Sequence, residues 1–107
     1  MTNFDKREEG FEKKFAMDEE SKFKAMARRN RLLGLWAAEK LGMSGDAATA
    51  YAKEVVAADF EQPGENDVVH KVTRDLAGKG IAITEAQLRT KMDELLAQAV
   101  AQVKAGT

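Results

Sequence analysis

Residues 30–42 constrain the fold more than any other stretch of this sequence. Leu33, Ala37 and Leu41 recur at intervals of four residues, which places them on one face of a helix. Leu32 and Trp36 widen that apolar face. A helix that is apolar around so much of its circumference must be covered by other helices. The segment therefore predicts the central helix of an all-α protein.

The composition supports one small helical domain and argues against several other classes. The chain has 107 residues and is 44% hydrophobic, with one Pro and one Tyr, which disfavours an all-β fold. The absence of Cys excludes a disulfide scaffold and thiolate chemistry. A net charge of −1 provides no general attraction for nucleic acid or an anionic membrane. The sequence contains no apolar run typical of a signal peptide or a membrane span, so we expect a cytoplasmic location without membrane insertion.

The N-terminal arm, defined as residues 1–17, differs from the rest of the chain. Residues 1–31 carry nine Lys/Arg and seven Asp/Glu, and apolar residues are sparse in the arm. Phe4, Phe11 and Phe15 would form one narrow stripe on a helix. Gly10 costs such a helix about 1 kcal/mol relative to Ala. We expect a partly disordered arm that becomes helical, and continuous with the first long helix, when a partner accepts the Phe stripe.

Residues 18–107 are predicted to form a four-helix bundle. The first long helix would end at Gly42, the second would span about 45–61 and the third about 67–77, with Ser44 and Asn66 as N-caps. The fourth would begin with a capping box formed by Thr84 and Gln87. Ile81 and Ile83 are expected to close one end of the core. The inward residues are predicted to be Phe23, Met26, Ala27, Leu33, Ala37, Leu41, Ala48, Tyr51, Ala52, Val55, Ala58, Val68, Val69, Val72, Leu76, Leu88, Met92, Leu95, Leu96, Ala99 and Val103.

The sequence offers no constellation that predicts catalysis. There is one His and no Cys, and neither of the two Ser residues lies in a nucleophile motif. His70 is interpreted as a surface or partly buried side chain. The Gly78-Lys79-Gly80 run is better explained as a helix end than as a phosphate loop. We therefore predict a protein that is not an enzyme and needs no cofactor or metal.

The strongest local cluster of positive charge contains three arginines, and it has two interpretations. Arg28, Arg29 and Arg31 could form a solvated face paired with neighbouring acidic residues, which we favour. They could instead bind an acidic protein surface or a nucleotide phosphate, because the guanidinium group presents two parallel donors. Trp36 is interpreted as a core residue rather than a ligand platform.

Four stretches of the chain resemble the zeta subunit family of the alphaproteobacterial F-type ATP synthase. The longest is FKAMARRNRLLGLWAAEKLG at residues 23–42. FDKRE at 4–8, AYAKEVV at 50–56 and RTKMDELL at 89–96 support the same resemblance. They occur in a fixed order and are distributed from residue 4 to residue 96, so the resemblance extends over nearly the whole chain. One departure is Gly10, where the family's pattern leads us to expect Ala.

The resemblance implies a four-helix inhibitor of ATP hydrolysis by the F1 part of the synthase. Its arm would enter the catalytic interface between the alpha and beta subunits and block rotation of gamma, at the cytoplasmic side of the inner membrane. The arm residues expected to contact the enzyme are Phe4, Asp5, Arg7, Glu8, Phe11 and Phe15. The alternative is a regulatory module that senses nucleotide, binding ADP or ATP weakly at Arg28, Arg29 and Arg31. A third hypothesis is a helical adaptor for a different partner.

Overall fold

The computed structural model describes residues 18–61 and 65–106, and this part of the chain folds into four helices. Helix α1 spans Glu19–Lys40, α2 Gly45–Glu61, α3 Glu65–Gly78 and α4 Glu85–Lys104. No strand occurs among these described residues. The predicted all-α, four-helix fold is therefore confirmed. The arm lies outside the described residues, so its predicted conformation and its continuity with α1 stay predictions.

Helix α1 is the central element, as its sequence predicts. It packs most extensively against α2 and α4, and also contacts α3. Leu33 and Ala37 are fully buried in the main core cluster, and Leu41 lies in the same cluster just after the helix. The other buried members of this cluster come from all four helices. They are Ala38, Tyr51, Val55, Val68, Val69, Val72, Leu76, Leu88 and Met92.

The structure confirms the predicted signals at the end of α1 and the start of α4 and contradicts the one at the start of α3. Gly42 adopts a φ of 80°, the left-handed conformation that favours Gly after a helix. At the start of α4, the Gln87 backbone N–H donates to Thr84 Oγ1 at 3.0 Å, and the Thr84 N–H donates to Gln87 Oε1 at 2.9 Å. Ile81 and Ile83 pack against the core as expected. The prediction for Asn66 is wrong, because α3 begins at Glu65 and contains this residue.

The prediction that Phe23 faces the core is also wrong. Its side chain is 57% exposed, whereas Ala25 is fully buried. The buried face of α1 passes through Ala25, Arg29 and Leu33 at intervals of four residues. Phe23 lies two residues before Ala25, about 200° around the helix, and therefore points away from that face.

Helices α1 and α2 approach each other closely at Gly34. A Cβ atom placed on Gly34 would lie 2.5 Å from the Cα of Ala52 and 3.3 Å from Val55 Cγ2. These distances are shorter than van der Waals contact, so only Gly fits at this position in α1. Gly34 thereby lets the two helix backbones meet beside Leu33.

None of the described helices combines the length and the apolar character needed to cross a lipid bilayer.

Candidate partner-binding site

The residues predicted to contact a partner fall into two groups, and the structure describes one of them. The arm contacts predicted from the sequence lie outside the described residues, so their role stays a prediction. These are Phe4, Asp5, Arg7, Glu8, Phe11 and Phe15. The described group is the basic cluster of Arg28, Arg29 and Arg31, in the middle of α1.

The first two turns of α1 present a charged, exposed surface. The ammonium groups of Lys22 and Lys24 lie 3.4 Å from the carboxylates of Glu19 and Glu20, respectively. The Lys22 side chain is only 11% exposed, whereas Lys24 and Glu20 are both exposed, and an exposed pair contributes between 0 and about 1 kcal/mol to stability. A partner can therefore exchange the pair of Lys24 and Glu20 for its own charges at little cost. Phe23 adds a large exposed apolar side chain to this surface.

The three arginines of the basic cluster do not share one surface. Arg28 is half-buried, and its Nη1 donates to Gln102 Oε1 of α4 at 3.2 Å. Arg31 is exposed, while Arg29 is only 1% exposed. Helical geometry turns Arg29 by about 100° and Arg31 by about 300° relative to Arg28. The nucleotide hypothesis therefore loses one of its three guanidinium groups to the interior of the bundle.

Arg29 belongs to a buried polar network that joins α1 to α2. Its Nε donates to Asn30 Oδ1 at 2.8 Å, and Asn30 Nδ2 donates to Asp59 Oδ2 at 3.0 Å. Asn30 is 1% exposed, like Arg29. Buried polar groups must be hydrogen-bonded to avoid a desolvation penalty. The side-chain amide of Asn30 accepts from Arg29 and donates to Asp59, so it provides a partner for both. The network serves the packing of the bundle rather than an exposed binding site.

Trp36 lies at the edge of the core and is only partly buried. The Lys40 ammonium is 5.0 Å from the centroid of its ring, and the Lys91 ammonium is 5.7 Å from it. Both distances allow cation–π attraction, which is weak at exposed sites. Trp36 does pack on the core as the sequence predicted, while these lysines cover it from α1 and α4.

A second polar cluster, between α2 and α3, was not predicted from the sequence. The Tyr51 hydroxyl donates to Asp75 Oδ2 at 2.8 Å, and Lys71 Nζ donates to the same oxygen at 3.1 Å. Lys71 also lies 5.1 Å from the Tyr51 ring centroid and 3.7 Å from a carboxylate oxygen of Glu54. The spacing of Lys71 and Asp75 by four residues was the one signal in the sequence. The spacing of residues could not identify Tyr51 of α2 as a hydrogen-bond partner of Asp75.

Burial and the hydrogen bonds of this cluster shift the pKa values of Tyr51 and Asp75. Burial raises the pKa of Asp75, but the hydrogen bonds from Tyr51 and Lys71 and nearby positive charge outweigh burial and hold it below the ordinary value. Burial, followed by the hydrogen bond to Asp75, raises the pKa of Tyr51 well above its ordinary value. Both shifts favour an ionised Asp75 that accepts from a protonated Tyr51.

Tyr51→Phe is expected to lower the free energy of unfolding by about 1 kcal/mol near neutral pH, since it removes one hydrogen bond to a carboxylate. A depressed carboxyl pKa contributes stability above the unfolded value of about 3.9, and this contribution is lost as pH falls through the folded pKa. The difference between the two proteins should therefore shrink in strong acid. Urea denaturation at neutral pH and near pH 2 checks this. An undiminished difference in acid would contradict the role of the ionised Asp75.

The described residues contain no arrangement typical of a metal site. No group of three or more His, Cys, Asp or Glu side chains converges within the part of the chain that the structure describes. His70 is exposed on α3.

The described part of the chain is thus a small four-helix bundle whose first helix begins with charged side chains. Residues 1–102 of this chain match the protein family described as ATPase inhibitor subunit zeta. The chain therefore belongs to that family.

A comparison with solved structures supports the fold. A protein solved by solution NMR is 55% identical in sequence and superimposes with a TM-score of 0.68. The alignment covers 79% of this chain and 96% of that protein. No curated protein matches the chain.

Proposed function

We propose that this protein inhibits ATP hydrolysis by the F1 part of ATP synthase. In this proposal residues 1–17 insert as a helix into the catalytic interface between the alpha and beta subunits and block rotation of gamma. The observation that carries the proposal is the family match, which extends over residues 1–102 and so includes both the arm and the bundle. The protein would lie in the cytoplasm and reach the inner membrane only through the synthase.

The construction of the bundle supports a division of labour between its parts. Among the described residues, the main core cluster and the apolar side chains packed against it lie between Leu33 and Leu95. The described helices thus supply a core from their own residues. An amphipathic helix with apolar anchors at helical spacing is one of the common ways in which a peptide binds a groove. This assigns stability to the bundle and recognition to the arm.

Inhibition by such an arm requires no chemistry from the inhibitor itself. Ordering a segment on binding costs conformational entropy, which the contacts must exceed. Large apolar side chains commonly supply most of the affinity of an interface. Phe4, Phe11 and Phe15 are the only such side chains in the arm besides Met1 and Met17. We therefore assign most of the binding energy to these three residues.

Phe11→Glu and Phe15→Glu should each weaken inhibition by at least about 30-fold, because losing an interface anchor costs about 2 kcal/mol or more. The thermal stability of the free protein should change little. The measurement is the inhibitor concentration that halves ATP hydrolysis by the F1-ATPase of the same organism.

Ala101→Glu provides the matched control, since it places the same charge at an exposed position of α4. It should leave inhibition unchanged. Full potency of both Phe variants would show that the stripe is not the contact surface, and the proposed role of the arm would then be wrong.

A further inference from the structure

Two arginines of the basic cluster belong to a row of side chains on the outer face of α1. This outer row consists of Lys24, Arg28, Arg31 and Leu35, which are spaced by four, three and four residues. At about 100° per residue the four positions fall within about 60° of one another, and Lys24 lies about 180° from Leu33 of the core. The outer row therefore faces away from the centre of the bundle and follows about 16 Å of the helix.

The positive charges at two positions of the outer row are accessible to a partner. Arg31 is exposed, and no ion pair within the described ranges 18–61 and 65–106 involves its guanidinium group. Lys24 is also exposed, and its ammonium group lies 3.4 Å from the exposed carboxylate of Glu20. Because a solvent-exposed pair of this kind stabilises the protein so little, a carboxylate from another protein can replace Glu20.

The other two members give the outer row a fixed point and an apolar end. Arg28 is half-buried, and its Nη1 donates to Gln102 Oε1 of α4 at 3.2 Å, which holds the guanidinium group against the bundle. A side chain that is already ordered loses less conformational entropy when a partner binds. Leu35 is partly buried but is not among the apolar side chains packed against the main core cluster. It can therefore add an apolar contact beside the charged ones.

The chemistry of the outer row favours an acidic helix of another protein. Its cations follow one another at intervals of about 6 and 4.5 Å along the axis, which matches carboxylates that recur at the same spacing on a second helix. A nucleotide phosphate is bound best by cations that converge on it, whereas these are spread along a line. A second copy of this chain is also a poor match on two of its helices. The exposed positions at the same spacing, 46, 50, 53 and 57 on α2 and 86, 90, 93 and 97 on α4, carry one carboxylate in each set.

We propose that the outer row of α1 binds an acidic helical surface of the enzyme that this protein inhibits. The inference rests on the proposed function for the identity of that partner, the F1 part of ATP synthase, and it requires no particular conformation of residues 1–17. The outer row attracts the inhibitor to the enzyme and holds the bundle against it, because complementary charges accelerate association and fix orientation. The block to rotation remains the task of the arm.

The double variant Lys24→Glu/Arg31→Glu tests this attraction in the full-length protein. At low ionic strength its association with immobilised F1-ATPase, followed by biolayer interferometry, should be about tenfold slower than that of the wild-type protein. At roughly 0.5 M salt the difference should largely disappear, since charges then interact over less than about 5 Å. Lys53→Glu/Lys79→Glu is the matched control, because it makes the same change in net charge at two exposed positions outside the outer row. It should associate like the wild-type protein.

A second measurement does not involve the ATPase. A helical peptide with Glu at positions i, i+4 and i+7 and Leu at i+11 is titrated into the ¹⁵N-labelled full-length protein. The amide chemical shifts of residues 24–35 should move and saturate, while those of Lys53 and Lys79 stay constant. The same peptide with Gln in place of Glu should cause no such change.

The two measurements separate the possible failures. Unchanged shifts with the acidic peptide would overturn the preference of the outer row for carboxylates. Equal association rates for the double variant and its control would overturn the enzyme as the partner of the outer row. If the wild-type protein binds F1-ATPase without slowing ATP hydrolysis, the proposed function fails. The association rates and the peptide titration still decide the role of the outer row in that case.

Discussion

Removal of residues 1–17 is expected to abolish inhibition of ATP hydrolysis and to leave the four-helix bundle folded. The shortened chain would begin at Asp18 and keep the cap that starts α1. It would also keep every described member of the main core cluster, the first of which along the chain is Leu33. The arm is proposed to make the contacts that block rotation, so the shortened chain should no longer inhibit ATP hydrolysis.

The measurement pairs an ATPase assay with thermal denaturation followed by circular dichroism. Stability should change by less than about 1 kcal/mol, which corresponds to a melting temperature within about 4–8 °C of the full chain. Removal of residues 106–107 is a suitable control, since Gly106 is exposed and follows Ala105, the C-cap of α4. Unchanged inhibition by the shortened chain, or a much larger fall in melting temperature, would contradict the division between arm and bundle.

Most of the fold could be predicted because apolar residues that recur at helical spacing mark the buried face of a helix. The predicted bounds of the second helix, 45–61, coincide with those of α2, and the capping box at Thr84 forms as expected. Ala99 and Val55 are buried as their spacing predicted. These signals are local, so a single sequence contains them in full.

The errors arose where burial depends on contacts between distant parts of the chain. Arg29 and Asn30 are buried although both are polar, because Asn30 bonds Asp59, which lies 29 residues further along the chain. An apolar pattern cannot reveal such a pair, and this is why Phe23 was placed inward. The same limit explains why the bond from Tyr51 to Asp75 was missed.

The two groups of residues in the candidate site, the Phe stripe of the arm and the basic cluster, differ in how far the sequence predicts them. The Phe stripe of the arm follows from spacing alone, and the resemblance to a known family extends over it. The basic cluster could not be resolved from spacing, because adjacent arginines look equivalent in a sequence. Only the packing of α1 against α2 and α4 separates the buried Arg29 from the half-buried Arg28 and the exposed Arg31.

Gly34→Ala is expected to lower the free energy of unfolding by about 3 kcal/mol, the upper end of the usual cost of overpacking. The new methyl group would lie 2.5 Å from the Cα of Ala52. Because a backbone atom cannot rotate away as a side chain can, α1 and α2 must separate, which loosens the packing of Leu33 and Val55. The intrinsic preference of helices for Ala over Gly returns only about 1 kcal/mol.

Gly78→Ala is the matched control, because a Cβ at this last residue of α3 would meet nothing within 4 Å. Urea denaturation should show it to be as stable as the wild-type protein or slightly more so. Adding Ala52→Gly to Gly34→Ala should restore only part of the loss, since it removes the methyl group that would lie 3.1 Å away but leaves the backbone atom at 2.5 Å. A fully stable Gly34→Ala protein would mean that the two helices can separate at no cost, and Gly34 would then not determine how closely they pack.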